Sequence, residues 1–115
     1  MEFIQTGSNI QAKYTEPTQN EPDDTGTLTP LIDLGKTTIK FQVQGDPDAV
    51  VAKDVPASAA TGGGAVDETF TVPALDKKQV SIDFWATATD IVGNESQPSV
   101  KTTLSIDKLA PQAPS

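Results

Sequence analysis

Cysteine, histidine and arginine are all missing from this 115-residue chain, and each absence closes a class of function. Without cysteine there is no disulfide, no thiolate metal site and no thiol nucleophile. Without histidine the commonest general base and the commonest transition-metal ligand are gone. Basic charge rests on eight lysines against sixteen carboxylates, for a formal net charge of −8. Nucleic-acid binding needs clustered cations, so this balance argues against it. The same balance argues against anionic membrane surfaces and reads as solubility and resistance to self-association. No apolar run approaches the length of a membrane span. The opening MEFIQTGSNI has no basic segment followed by an apolar one, so it is not a signal peptide. Met1-Glu2-Phe3 reads equally as a natural start or as a junction.

What the chain does have is alternation. Val80, Ile82, Phe84, Ala86 and Ala88 interleave with Ser81, Asp83, Trp85, Thr87 and Thr89. A period of two predicts a half-buried β-strand with the first set inward and the second outward. Asp90, Gly93 and Asn94 then suit a tight turn. Ser99 to Ile106 predicts a following strand, with Val100, Thr102, Leu104 and Ile106 on one face. Earlier strands are expected at Glu2–Thr6, around Ile10, Ala12 and Tyr14, and at Thr37–Gln44 with Ile39, Phe41 and Val43 inward. Ala49–Lys53 reads as an edge strand, and Glu68–Val72 points Phe70 and Val72 one way before Pro73 stops the ladder.

The expected fold is all-β, a single seven-stranded antiparallel β-sandwich over residues 1–106, followed by a Pro-containing tail or linker at 107–115. Residues 16–36 form a long acidic loop. The Gly62-Gly63-Gly64 run between Pro56 and Asp67 is expected to be mobile.

One phrase carries a family resemblance. Ala88, Asp90, Gly93, Asn94, Glu95, Ser96 and Ser99 resemble the Ala-x-Asp-x-x-Gly-Asn-Glu-Ser-x-x-Ser wording that closes the penultimate strand of fibronectin type III domains. Tyr14 to Thr18 looks like that family's Trp-x-x-Pro ending of the second strand, with Tyr in place of Trp, and Leu75 matches its leucine before the penultimate strand. Leu31 to Leu34 before the third strand is similar to bacterial and phage members. The family's corner tyrosine, due near Val80–Ile82, is absent. A divergent immunoglobulin-like relative would have the same architecture.

Candidate sites are few. Trp85, the only tryptophan, falls on the outward row and is a candidate partner-binding anchor, against the alternative that lysine stems or the long loop cover it. Asp23, Asp24, Asp90, Asn94 and Glu95 supply the oxygens a calcium ion would need, if two loops share one end. No EF-hand spacing is present, and Asp90 and Asn94 have a plain use in satisfying turn backbone groups. Glycoside hydrolysis needs two acids across a cleft, and the triple glycine lacks the context of a phosphate loop. No catalytic residue, no cofactor and no enzymatic activity are expected.

The expected role is structural or adhesive. The first reading is a small bacteriophage virion protein, a head or tail accessory or decoration subunit contacting other virion proteins. The alternative is a fibronectin type III spacer or carbohydrate-binding repeat from a bacterial secreted enzyme or surface adhesin, meeting surface proteins or cell-surface glycans. In that reading Asp107 to Pro111 joins the next domain.

Overall fold

Every run that alternates in the sequence becomes a strand. The structure, a computed structural model, describes residues 1–114. Its strands are β1 (Glu2–Thr6), β2 (Asn9–Thr15), β3 (Leu34–Val43), β4 (Val50–Pro56), β5 (Ala65–Thr71), β6 (Gln79–Asp90) and β7 (Thr102–Asp107). They form two antiparallel sheets, ordered β1-β2-β5 and β4-β3-β6-β7. Among the described residues there is no α-helix, only a 3₁₀ turn at Pro73–Asp76.

The inward rows of both sheets meet in one core, an arrangement compatible with a β-sandwich. Ile10, Ile39, Ile82 and Phe84 have no solvent exposure. Phe84 sits at the centre, stacked on Phe3 of the facing sheet at 5.3 Å, with Phe70 at 6.1 Å and Phe41 at 6.3 Å between ring centroids. Rings so placed gain edge and offset contacts beyond their buried area. Polar groups also cross between the layers. The Tyr14 and Thr37 hydroxyls, both buried, lie 2.6 Å apart. On the open side Lys53 of β4 meets Glu68 of β5 at 2.7 Å. Both stand on inward rows of edge strands, opposite Ile39 and Ala12, so their charges discourage another strand from adding there.

Several expectations need correction. β3 begins at Leu34, β4 runs on to Pro56 and β5 starts at Ala65, so the intervening loops are shorter than the sequence implies. Val100, expected within a strand on one face with Thr102, Leu104 and Ile106, is 89 % exposed, because β7 begins only at Thr102. Before it, Ser96 and Ser99 clasp β6 through their side chains. The Ser96 N–H donates to the Ala88 carbonyl at 2.8 Å while the Ala88 N–H donates to Ser96 Oγ at 3.0 Å. Ser99 repeats the pattern on Ala86, at 2.9 and 3.0 Å. Each serine therefore closes a reciprocal pair that a true strand neighbour would close with backbone alone, and Val100 is left outside.

The triple glycine, expected to be mobile, has a specific packed conformation. Gly62 has φ +67°, and a Cβ there would lie 1.9 Å from the Pro17 carbonyl oxygen. A Cβ on Gly64 would lie 2.2 Å from Ser58 Oγ. The corner before β6, which has no tyrosine, is tied by Lys108 just past β7: its N–H donates to the Lys78 carbonyl at 2.6 Å and its ammonium to the Leu75 carbonyl.

β1 starts at the end of the domain where β6 finishes, and β7 finishes at the opposite end. The principal extents are 67 × 25 × 19 Å, whereas the longest strand, of 12 residues, spans only about 40 Å. Loops and tail at the two ends supply the difference.

Candidate functional site at the loop end

Three connections gather at one end: residues 16–33, 57–64 and 91–94. Glu16 anchors the first two. It is 2 % exposed, and its carboxylate accepts hydrogen bonds from the Ser58 N–H at 2.9 Å, the Gly64 N–H at 2.9 Å and the Ser58 hydroxyl. Desolvation pushes the Glu16 pKa up, but the bonds from Ser58 and Gly64 outweigh it and hold the group below its ordinary value. Among the described residues no buried side-chain polar atom lacks a partner.

Beyond Glu16 the chain leaves the sheets as a small hairpin arm. Gln19 bridges to Pro30, and the Asn20 N–H donates to the Thr29 carbonyl at 2.9 Å. At the tip Asp23 Oδ1 accepts from the Thr25 hydroxyl at 2.7 Å and from the N–H groups of Thr25 and Thr27 at 2.9 and 3.0 Å. The Thr25 hydroxyl, then these amides, lower its pKa. Asp24 stands exposed beside it.

The 91–94 turn is built on Asp90. Its Oδ1 accepts from the N–H of Val92 at 3.1 Å and of Asn94 at 2.8 Å, and its Oδ2 from Asn94 Nδ2 at 2.9 Å. These bonds, the Asn94 amide first, hold the Asp90 carboxyl below its ordinary pKa. Gly93, at φ +98°, completes the turn. Glu95 Oε2 receives Lys40 Nζ at 2.8 Å and the Thr87 hydroxyl at 2.7 Å, which lower its pKa in that order.

Between arm and turn lies a cleft of about 210 Å³. Leu31 and Leu34 form its apolar part, and Glu21, Asp90 and Glu95 line it with carboxylates. Glu21 Oε2 accepts the Gln97 N–H at 2.9 Å, fixing the arm's base against the segment after the turn. The turn is also tied to the end of the first connection, where the Ile91 N–H donates to the Asp33 carbonyl at 2.9 Å. Ile91 and Val92 in that turn are 72 % and 74 % exposed, and Ile32, which precedes Asp33 in the chain, is 73 % exposed.

The structure thus brings Asp90, Asn94 and Glu95 together, and leaves Asp23 occupied in the arm's own tip. Among the described residues no group of three or more His, Cys, Asp or Glu is placed to hold a metal ion. Trp85 does lie on the outer row, opposite Lys40, but it is only 4 % exposed, and Lys101 Nζ sits 4.5 Å from its ring centroid. Lysine cover of this kind leaves no exposed aromatic anchor on that face. No helix among the described residues is long and apolar enough to cross a membrane.

Sequence reasoning missed Ile32, Ile91 and Val92. Its available signal was Ile91-Val92 between turn-forming Asp90 and Gly93, an apolar pair where turn chemistry asks for none. Glu16 gave no signal, since its partners lie more than 40 residues away. No protein-family model, no curated protein and no solved structure compared with the chain matches it.

Proposed function

We propose that this chain is a non-enzymatic β-sandwich module of the fibronectin type III kind that works by protein contact inside a larger assembly, as a head or tail accessory of a bacteriophage virion. The observation that carries this reading is the loop end, where the connections that frame a fixed, acid-lined cleft also expose apolar side chains, while the inward faces serve packing. The carboxylates best placed for chemistry, Glu16, Asp90 and Glu95, are each engaged in holding backbone or neighbouring side chains. The fibronectin assignment is supported by strand order: the fourth strand lies beside the third, whereas in immunoglobulin constant domains it joins the first sheet. The serine clasp gives the Ser-x-x-Ser wording of the resemblance a physical purpose.

The test is the copy number of the chain, by quantitative mass spectrometry, in purified virions from the source. A fixed stoichiometry with the major structural protein is expected. Detection only as part of a longer secreted polypeptide overturns it. That outcome supports the second reading, a spacer or carbohydrate-binding repeat of a secreted or surface protein, which is favoured by one feature: the first and last strands open and close at opposite ends, as tandem linkage requires.

A further inference from the structure

We infer that the loop end docks a protein surface of opposite character, an apolar patch rimmed by lysine or arginine, with Ile32, Ile91 and Val92 as the contact centre and the Glu21–Asp90 cleft receiving one cationic side chain. This rests on reading the chain as a contact module and adds the chemistry of the partner. The turn at 91–94 is closed by Asp90, Gly93 and Asn94, so the fold makes no use of the side chains of Ile91 and Val92. Their exposure at 72 % and 74 %, and that of Ile32 at 73 % next to Asp33, whose carbonyl the Ile91 N–H reaches, leaves three aliphatic side chains open to solvent on adjoining connections of this end. Apolar centres with polar rims mark contact surfaces.

The rim fixes the partner's sign. Of the seven carboxylates in residues 16–33 and 90–95, Glu16 is buried and Glu95 is paired with Lys40, which leaves Glu21, Asp23, Asp24, Asp33 and Asp90. Lys36 and Lys40, beside Ile91, face Asp54 and Glu95. A second copy presenting the same end would set these charges against each other, and phosphate surfaces are repelled for the same reason. A lysine or arginine entering the cleft lays its aliphatic stem on Leu31 and Leu34 and brings its charge to Glu21 and Asp90. Apolar contact supplies affinity, and the acidic rim supplies orientation and discrimination.

The experiment uses the isotope-labelled full chain and, as probe, a short amphipathic peptide of leucine and lysine. Its control is the same peptide with glutamate in place of lysine. Chemical-shift changes are expected in residues 31–34 and 88–96, weakening as salt shortens the screening length. The Ile91→Asp/Val92→Asp double variant should bind about tenfold more weakly or worse, the loss of a contact centre. Both positions are exposed, so its urea midpoint should match wild type. The glutamate peptide should perturb nothing. Absence of binding, changes spread over the strand faces, or undiminished binding by the double variant overturns the inference. Sedimentation as a dimer overturns it in favour of self-contact. If the chain is present in virions and the peptide leaves this end unperturbed, the partner chemistry fails while the structural role stands.

Discussion

The Tyr14 hydroxyl lies 2.6 Å from the Thr37 hydroxyl, joining β2 of one sheet to β3 of the other inside the core. Burial raises the Tyr14 pKa, and the hydrogen bond shared with Thr37 only partly offsets that effect. Tyr14→Phe strands the Thr37 hydroxyl in an apolar setting and should cost about 1–2 kcal/mol. Pairing it with Thr37→Val removes both partners, so the double variant should be more stable than the two single losses sum to. Urea unfolding of the four proteins, at constant slope, reads the coupling. Strict additivity would mean that the bond contributes nothing.

Phe84 touches Phe3, Phe41 and Phe70 and has no exposure. Phe84→Ala should therefore cost about 3–5 kcal/mol, from lost transfer energy and the cavity left behind. A urea midpoint that scarcely moves contradicts the register of β6.

The serine clasp makes a local prediction. Ser96→Ala and Ser99→Ala each remove the acceptor of a β6 amide, at Ala88 and Ala86 respectively. Each should cost about 1–2 kcal/mol. Amide exchange should accelerate at the matching alanine and leave the β3–β6 ladder protected. Equal acceleration along the whole of β6 would show the clasp to be incidental.

Glu16 links stability to pH. Its folded pKa lies below the unfolded value, so its contribution is present above the ordinary glutamate pKa, about 4.3. It is lost as pH falls through the lower folded value. Glu16→Gln cannot accept from both Ser58 and Gly64 in the same way and should be destabilised at neutral pH. The gap between wild type and variant should narrow as pH falls below the ordinary glutamate pKa, about 4.3, and close as the folded carboxylate takes its proton. A gap independent of pH from neutral to acid contradicts the role assigned to the charge.

Gly62→Ala tests the loop that the sequence presents as mobile. With positive φ and the Pro17 carbonyl 1.9 Å from the new Cβ, it should destabilise well beyond Gly45→Ala, where φ is +94° but no atom lies within 4 Å. Equal costs, of about 1 kcal/mol each for left-handed strain alone, would mean the loop yields freely.

These positions also show what was legible in advance. The rows Ile10-Ala12-Tyr14, Ile39-Phe41 and Ile82-Phe84-Ala86 were readable because a strand's faces follow a period of two, and burial follows the faces. Trp85 shows the limit of that rule. Its phase was right, but its exposure depended on Lys101, a residue from another strand's approach. Val100 was misplaced because Ser96 and Ser99 each meet β6 through one backbone and one side-chain bond, and regular pairing resumes only at Thr102. Gly62 and Glu16 were opaque for one shared reason: their constraints come from Pro17, Ser58 and Gly64, brought together only by the fold.

We propose the loop end as the contact surface of this chain in its assembly. Hydroxyl-radical footprinting of Ile32, Ile91 and Val92, in the free chain and in the intact particle, tests it most directly. Strong labelling in the free chain with protection of all three in the particle is the predicted result. Equal labelling in both states, with protection found instead on the outer sheet faces, would contradict it.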